Sequence, residues 1–234
     1  MKSIVIYVFI IFGISFSYGQ NCCDGLIGPN DNKYDENGLE TGRWVICDTE
    51  ICKITQIDTF ANGKKNGVTV CYNENGVLTH TYPYKDGELE GMSYSKNHLA
   101  EGFYDSIPYR NGKQEGIRRA YYPDGTLCAE SSWVDGRRSG GSYVYYKSGR
   151  LARKGSYLNG VQKGTAYVYR DDENNSVMFK FTYVDGFCVK AVEYRSNGEV
   201  EKTPREIHLL CYDDYLYIDC NVKGKGEVIK TSGK

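Results

Sequence analysis

Short segments of alternating polar and apolar residues fill most of this chain, and glycine-containing turns separate them. Tyr, Val, Thr and Phe dominate the segments, as in residues 141–146, and a two-residue alternation rich in these side chains is typical of β-strands. The segments show no sustained apolar period of 3.6 residues, which an amphipathic helix would require. The pattern therefore predicts strands joined by tight turns.

Asn-Gly and Asp-Gly dipeptides mark the turns between these segments. Both dipeptides tolerate the positive φ angles that two-residue hairpin turns impose. Glycine pairs of the form Gly-x3-Gly begin successive repeats, and the first glycines follow one another at steps of 25, 24, 25, 24, 24 and 26 residues. The predicted repeat turns lie at Gly38, Gly63, Gly87, Gly112, Gly136, Gly160 and Gly186.

A second turn falls near the middle of several repeats, at Gly76, Gly125, Gly149 and Gly198. Each repeat therefore holds two strands, and repetition at a fixed period is the signature of a repeat architecture. The predicted fold class is all-β, an elongated antiparallel β-meander of seven tandem β-hairpin repeats of ~24 residues with roughly fourteen strands. A meander of so many strands should twist strongly or roll.

Both ends of the chain depart from the repeat. Lys2 precedes an apolar run, and small residues precede Gln20, which is the form of a secretory signal peptide cleaved between Gly19 and Gln20. The apolar run is shorter than the ~20 residues of an ordinary transmembrane helix, and an uncleaved N-terminal anchor is the alternative. The predicted organisation is a signal peptide at 1–19, a polar lead at 20–37, seven repeats at 38–203, a capping hairpin at 204–222 and a flexible tail at 223–234.

The charge balance bears on location and partners. The formal net charge is -1, and removal of residues 1–19, which carry one lysine and no acid, makes it -2. Nucleic-acid binding requires a basic surface that neutralises phosphates, so we expect no nucleic-acid partner. With the signal peptide, the sequence predicts an exported bacterial protein of the periplasm, cell surface or medium, with no transmembrane segment after cleavage.

Nine cysteines fit an exported protein, because disulfides persist outside the cytosol. The odd number leaves at least one thiol free or paired between molecules. Cys47 and Cys71 are 24 residues apart, close to one repeat, so they could be neighbours on adjacent strands. A metal site is the weaker alternative, because no cysteine pair has zinc-knuckle spacing or a nearby histidine. The candidate disulfide cysteines are Cys22, Cys23, Cys47, Cys52, Cys71, Cys211 and Cys220.

Tyrosine is the commonest large side chain, with 22 copies. Equivalent tyrosines of successive repeats should stack in ladders, with the ring packed and the hydroxyl in water. Such a ladder could contact protein or glycan, and the alternative is that the rings form the core. The candidate binding face consists of Tyr121, Tyr122, Tyr143, Tyr145, Tyr167 and Tyr169. A row of basic turn residues, Lys64, Lys65, Lys113, Arg137, Arg138 and Lys163, is a second candidate, for anionic lipid or glycan, against the alternative of a solvated edge.

The residues indicate no catalytic site, metal or cofactor. The three histidines are isolated, and most acidic clusters fall in turns, where solvated carboxylates are expected. The Gly-x3-Gly pairs lie between strands rather than before a helix, so they do not match a nucleotide-binding loop. We predict that the protein is not an enzyme.

One repeat shows the shared pattern in full. Residues 111–127 read Asn-Gly-Lys-Gln-Glu-Gly, then four residues, Tyr-Tyr, and Pro-Asp-Gly-Thr-Leu. This pattern resembles the variant MORN repeat of the bacterial family labelled YwqK-type antitoxins, over residues 37–199. The signal peptide, with Gln as first mature residue, resembles those of exported Bacteroidetes proteins.

The resemblance implies a β-hairpin array used for protein–protein or surface contact. We therefore expect a non-enzymatic exported protein that acts as a protein-interaction or cell-envelope contact scaffold, touching an unidentified protein and possibly an envelope surface or glycan. The alternative implied by the family label is an antitoxin or immunity protein that neutralises a toxin by direct binding.

Overall fold

The computed structural model describes residues 25–97 and 103–201, and every regular element in these ranges is a strand. The strands are β1 Lys33–Tyr34, β2 Glu40–Asp48, β3 Lys53–Ala61, β4 Lys64–Lys65, β5 Gly67–Tyr72, β6 Leu78–Lys85, β7 Glu88–Leu89, β8 Gly91–Asn97, β9 Phe103–Arg110, β10 Lys113–Gln114, β11 Gly116–Tyr121, β12 Leu127–Val134, β13 Arg137–Tyr145, β14 Leu151–Leu158, β15 Val161–Tyr169, β16 Val177–Val184 and β17 Phe187–Glu193.

The described residues form two compact lobes, one of residues 25–96 and 108–113 and one of residues 97, 103–107 and 114–201. In the first lobe β1 pairs with β2, β2 with β3, β3 with β4 and β5, β5 with β6, and β6 with β7 and β8. In the second lobe β9 pairs with β11, and each strand from β11 to β17 pairs with the next. All of these pairings are antiparallel. The predicted all-β meander of hairpin repeats is therefore confirmed.

Six of the seven repeat turns are two-residue hairpin turns, and the turn at Gly38 has the wider hydrogen-bond pattern of the mid-repeat turns described below. All seven repeat-turn glycines have positive φ, between 71° and 92°. At six of the seven turns the preceding Asn or Asp also has positive φ, between 48° and 53°. Positive φ at both central residues defines the type I′ turn, whose twist matches that of the flanking strands.

The mid-repeat turns belong to a different class. At the turn around Gly149, the amide of Tyr146 donates to the carbonyl of Arg150 (2.8 Å), and the amide of Gly149 donates to the carbonyl of Tyr146 (2.8 Å). Only the glycine of this turn has positive φ, at 82°. Such a wider loop, with one left-handed glycine, is a type I turn with a bulge. The register of the flanking strands shifts there too, between Val144 and Tyr145.

Residues 25–97 and 103–201 hold seventeen strands, and about fourteen were expected from the repeat. β1 lies in the predicted polar lead, and three further strands arise at Gly67, Gly91 and Gly116, the second glycines of three repeats, because a strand is interrupted at the residue before each of them. Their φ values of 126°, 109° and 113° depart from the extended conformation. The pieces on either side of Gly67 and Gly91 still pair with the same neighbouring strand. Each interrupted strand is thus one bent strand of the predicted hairpin.

Each repeat turn is bonded to the turn of the repeat before it. The amide of Gly136 donates to the carbonyl of Gln114 (3.0 Å), and the amide of Gly160 donates to the carbonyl of Arg138 (2.8 Å). In both cases the acceptor lies two residues beyond the preceding turn glycine. The same bond occurs at six turns, with lengths of 2.8 to 3.2 Å. These bonds form a ladder along one edge of the hairpins.

The core is thin and built largely from small side chains. In the second lobe Ala166 is 1 % exposed and packs with Phe181, Tyr183 and Ala191. A second buried cluster joins Tyr122 to Cys128 and Ala129. The first cluster spans two neighbouring repeats and the second lies within one, so burial is local to one or two repeats, as expected for a repeat protein.

Several predicted features lie outside the described residues. These are the signal peptide at 1–19 with its cleavage site at Gly19 and Gln20, the start of the polar lead, the capping hairpin at 204–222, the tail at 223–234, and Cys22, Cys23, Cys211 and Cys220.

The prediction for Cys71 is wrong, because its thiol is free. Cys71 lies opposite Gln56 on one side of β3, whereas Cys47 lies opposite Ile54 on the other side of that strand. The two cysteines are therefore not on adjacent strands as expected, since β3 separates β2 from β5. The described cysteines in the disulfide-bonded state are Cys47, Cys52, Cys128 and Cys188. Of these, Cys128 and Cys188 are absent from the sequence candidates.

Candidate binding surface

An aromatic residue lies three positions before the turn glycine of every repeat boundary from Gly63 to Gly186. The six residues are Phe60, Tyr84, Tyr109, Trp133, Tyr157 and Tyr183. This position is absent from the predicted binding face, whose tyrosines all follow the second glycine of a repeat. Counting backwards from each turn glycine would have found it.

Basic side chains pack against some of these rings. The guanidinium of Arg138 lies 4.7 Å from the centre of the Tyr157 ring and 5.7 Å from that of Trp133. The Lys65 ammonium lies 5.3 Å from the centre of the Tyr84 ring. A cation over a ring face is attracted by the ring quadrupole. Arg138 and Lys65 are therefore engaged within the repeat array.

The predicted basic row is consequently not a free cationic edge. Lys65 also forms an ion pair with Asp58 (2.9 Å), and Lys163 forms one with Asp185 (3.5 Å). Of the predicted row, at least Lys65, Arg138 and Lys163 thus have partners within the chain. This arrangement favours the solvated, internally paired edge over a lipid contact.

Tyr122 is buried and is not available to a partner, which corrects its assignment to the binding face. Its side chain is 6 % exposed, and its hydroxyl donates to the carbonyl of Tyr145 in the next repeat (2.8 Å). The hydroxyl of Tyr146 makes the same bond to the carbonyl of Tyr169 (2.6 Å). Burial raises the pKa of both phenols. These two tyrosines join consecutive repeats, as the core alternative predicts.

Tyr121 lies apart from the other candidate tyrosines. It ends β11, opposite Tyr104 on β9 and beyond a register shift from Ala120. Its ring is partly buried, whereas Tyr104 is 51 % exposed.

Four candidate tyrosines lie in or beside one aromatic and cationic row across the second lobe. The register places Tyr143 opposite Lys154, Lys154 opposite Tyr167, and Tyr167 opposite Lys180. Directly opposed residues of antiparallel strands project from the same face of the sheet. We call Tyr143, Lys154, Tyr167 and Lys180 the tyrosine–lysine row; Tyr145 and Tyr169 lie two residues further along the same strands.

The lysines of this row lie close to its rings. The Lys154 ammonium is 4.9 Å from the centre of the Tyr167 ring and 5.7 Å from that of Tyr169, and the two rings are stacked at 6.1 Å. The hydrogen bond to Tyr169 raises the pKa of Lys154. Lys180 lies 5.9 Å from the centre of the Tyr167 ring on the other side. Lys154 and Lys180 therefore flank the Tyr167 ring from neighbouring strands.

The rim of the row is held in place by local contacts. Tyr143 is 37 % exposed, and its ring lies over the backbone of Gly141, where a Cβ atom would be 2.6 Å from the ring carbon Cε2. The Tyr145 hydroxyl donates to the Glu130 carboxylate (3.3 Å), and burial together with that carboxylate raises the pKa of Tyr145. The surface is thus ordered before any partner arrives.

A shallow cleft of about 440 Å³ lies at one end of the row. Its lining comprises Tyr167, Ser176, Val177, Lys180, Tyr194 and Gly198. Ligand pockets typically span ~300–1,000 Å³, so this cleft is large enough for a small group.

A buried polar cluster occupies the first lobe. Asp58 is 2 % exposed and accepts hydrogen bonds from the Thr69 hydroxyl (2.5 Å) and the Gln56 amide (2.7 Å), beside the Lys65 ammonium. Burial raises the pKa of Asp58, but the hydrogen bonds from Thr69, Lys65 and Gln56 outweigh it and hold the pKa below its usual value. Burial and the Asp58 charge raise the pKa of the nearby Cys71 thiol. The cluster is internally satisfied, which fits a structural role.

The described residues hold neither a metal-binding cluster nor a membrane-spanning helix. No group of three or more His, Cys, Asp or Glu side chains there could hold a metal ion. No helix within the same residues is long and apolar enough to span a membrane.

Comparison with known proteins leaves the family open. No family description matches the chain, and no curated protein is similar to it. A porin-like protein from Bacteroides uniformis aligns with 72 % of this chain and 84 % of its own length, at 12 % identity and a TM-score of 0.22. A Bacteroides fragilis protein of unknown function aligns with 65 % of this chain and 92 % of its own, at 16 % identity and a TM-score of 0.13. Neither likeness is strong enough to bear on function.

Proposed function

We propose that this chain is an exported, non-enzymatic repeat protein of the variant MORN type that acts by binding a partner in the bacterial cell envelope. The observation that carries the proposal is the tyrosine–lysine row, which crosses four consecutive strands of the second lobe. Aromatic side chains are enriched at protein–protein interfaces whereas lysine is depleted there, so the tyrosine rings are the part of the row that supports protein binding.

The chemistry of the row supports binding rather than catalysis. Lys154 and Lys180 contact ring faces, and the acid beside the row, Glu130, is engaged by the Tyr145 hydroxyl. Such an array offers flat apolar rings, hydroxyl groups and positive charge to a partner. It holds no nucleophile paired with a base, which covalent catalysis would require.

Site-specific photo-crosslinking tests this proposal. A benzoylphenylalanine replaces Tyr143 in tagged full-length protein, expressed in the native host's envelope. The control replaces Tyr34, which is 63 % exposed and belongs to the first lobe. We expect one dominant crosslinked species from position 143 that is absent from position 34.

The identity of the crosslinked species separates the two functional alternatives. An envelope protein or glycoconjugate would support the contact scaffold, and a toxin exported to the same compartment would support the immunity role. Equal, diffuse labelling from both positions would contradict a dedicated binding surface.

A further inference from the structure

We propose that the cleft beside Lys180 binds a carboxylate-bearing sugar, such as a uronic acid residue of an acidic polysaccharide. This inference rests on the proposed binding function and specifies its ligand.

The cleft has the side chains that bind a sugar ring. Two tyrosines, Tyr167 and Tyr194, line it together with one aliphatic side chain, Val177. An aromatic ring face packs against the C–H groups of a sugar, while the phenol hydroxyl can bond to sugar hydroxyls. A protein side chain inserted as an anchor would instead need a more apolar and more enclosed pocket.

The charge in the cleft selects an anionic sugar. Lys180 is the charged residue of the lining, and it forms no ion pair with a carboxylate among residues 25–97 and 103–201. The second lysine of the row, Lys154, lies on the strand to the other side of Tyr167 from Lys180. A neutral sugar would leave the Lys180 charge without a carboxylate partner, whereas a carboxylate forms a charge-assisted hydrogen bond with an ammonium group.

The walls of the cleft are fixed by contacts that do not use Lys180. Arg195 and Glu201 form an ion pair (2.8 Å) across the turn that carries Gly198. On the other wall, the amide of Ser176 donates to the Asp172 carboxylate (2.8 Å). A cleft that is ordered in advance loses less conformational entropy when a ligand binds.

Another lysine, outside the cleft, provides a matched control for Lys180. Lys147 is an exposed lysine that pairs with Asp124 (3.4 Å) and takes no part in the cleft lining. Lys180→Gln and Lys147→Gln remove the same charge, so any difference in binding between these variants reports the cleft rather than the net charge.

Isothermal titration calorimetry on the mature chain, residues 20–234, tests the proposal with three probes. These are hexagalacturonate, its fully methyl-esterified form and hexaglutamate. We expect wild type and Lys147→Gln to bind hexagalacturonate equally, and Lys180→Gln to bind it about tenfold or more weakly, as expected for loss of one charge-assisted bond. Lys180→Arg should retain binding, and the methyl ester should bind at least about tenfold more weakly than the acid.

Two results would overturn the proposal. Equal binding of the acid and its methyl ester would exclude carboxylate recognition, and binding of hexaglutamate as tight as that of hexagalacturonate would exclude a sugar-specific cleft in favour of an acidic peptide. A Tyr194→Ala variant gives a second measure: it should weaken hexagalacturonate binding while its melting temperature stays near that of wild type. Unchanged binding by that variant counts against ring stacking.

The outcome also separates this inference from the proposed function. If hexagalacturonate does not bind but position 143 still crosslinks to one envelope partner, the sugar is wrong and the binding function stands. If neither is observed, both proposals fail.

Discussion

Asp58 is the side chain on which the first lobe should depend most. The residue is 2 % exposed, and its carboxylate is bonded to Thr69 and Gln56 beside the partly exposed Lys65. Asp58→Ala would leave a buried hydroxyl and an ammonium group without their acceptor, which costs about 2–3 kcal/mol once the exposure of Lys65 is considered. Urea denaturation should show this loss.

The matched control for this substitution is an exposed ion pair. Lys147→Ala breaks the contact with Asp124 at the surface, where such pairs contribute less than ~1 kcal/mol. If both variants lose the same stability, the Asp58 cluster is not a structural centre.

The titration of Asp58 predicts the direction of acid destabilisation. Its folded pKa is held below the usual value by the hydrogen bonds of the cluster. A carboxyl with a lowered folded pKa stabilises the fold above its unfolded pKa of ~3.9, and that stability is lost as the pH falls through the folded pKa. Wild type should therefore lose stability below about pH 4 more steeply than Asp58→Asn, measured by thermal unfolding at pH 7, 5, 4 and 3. Parallel curves for the two proteins would contradict the assignment.

At the level of the hairpin, the two turn classes make different demands on their residues. The mid-repeat glycine Gly149 has φ of 82°, and a Cβ atom there would meet nothing within 4 Å. Gly149→Val should therefore destabilise through backbone strain alone, by about 1–2 kcal/mol. Gly149→Asn should cost less, because Asn tolerates the left-handed region. Thermal melting distinguishes the variants, and an unchanged melting temperature for Gly149→Val would exclude a positive φ in solution.

The sequence predicted the hairpins well, because their signals are local. Asn-Gly and Asp-Gly at fixed spacing determine where strands end, and so the repeat turns and the all-β class follow from dipeptides alone. The bend at Gly67 and its two counterparts was not predicted, because it depends on how a strand pairs with its neighbour rather than on its own residues.

The candidate surface was only partly predictable for the same reason. Tyr122 and Tyr145 are both tyrosines that follow a second glycine, yet one is buried and the other borders the tyrosine–lysine row. The difference is set by position within the repeat: Tyr122 lies three residues before its mid-repeat glycine, as Tyr146 does, and reaches the next repeat. The lysines opposite the rings, Lys154 and Lys180, become visible only when strands are paired.

For the whole molecule, the contacts between turns predict that repeats are interchangeable. Deletion of residues 136–159 removes one repeat and brings Gly160 to the place of Gly136. Its amide could then donate to the carbonyl of Gln114, as that of Gly136 does now. The Tyr122 hydroxyl would meet the carbonyl of Tyr169 in place of that of Tyr145. We expect the shortened protein to fold and to melt cooperatively.

A half-repeat deletion is the informative comparison. Removal of residues 136–147 would place a mid-repeat turn where a repeat turn belongs. It would remove both the amide-to-carbonyl bond between turns and the bond from the tyrosine hydroxyl to the next repeat. Circular dichroism and limited proteolysis should show a folded protein for the full-repeat deletion and a misfolded one for the half-repeat deletion. If both deletions misfold alike, the repeats are not independent modules.

The ladder of turn bonds also has a mechanical consequence. Because each rung joins one repeat only to the one before it, a force applied to the two ends would detach repeats one after another from the free end of a lobe. Each detached repeat of ~24 residues would lengthen the chain by roughly 80 Å. The protein would then unfold stepwise under tension, so that a binding site on one repeat could remain folded after other repeats have unfolded.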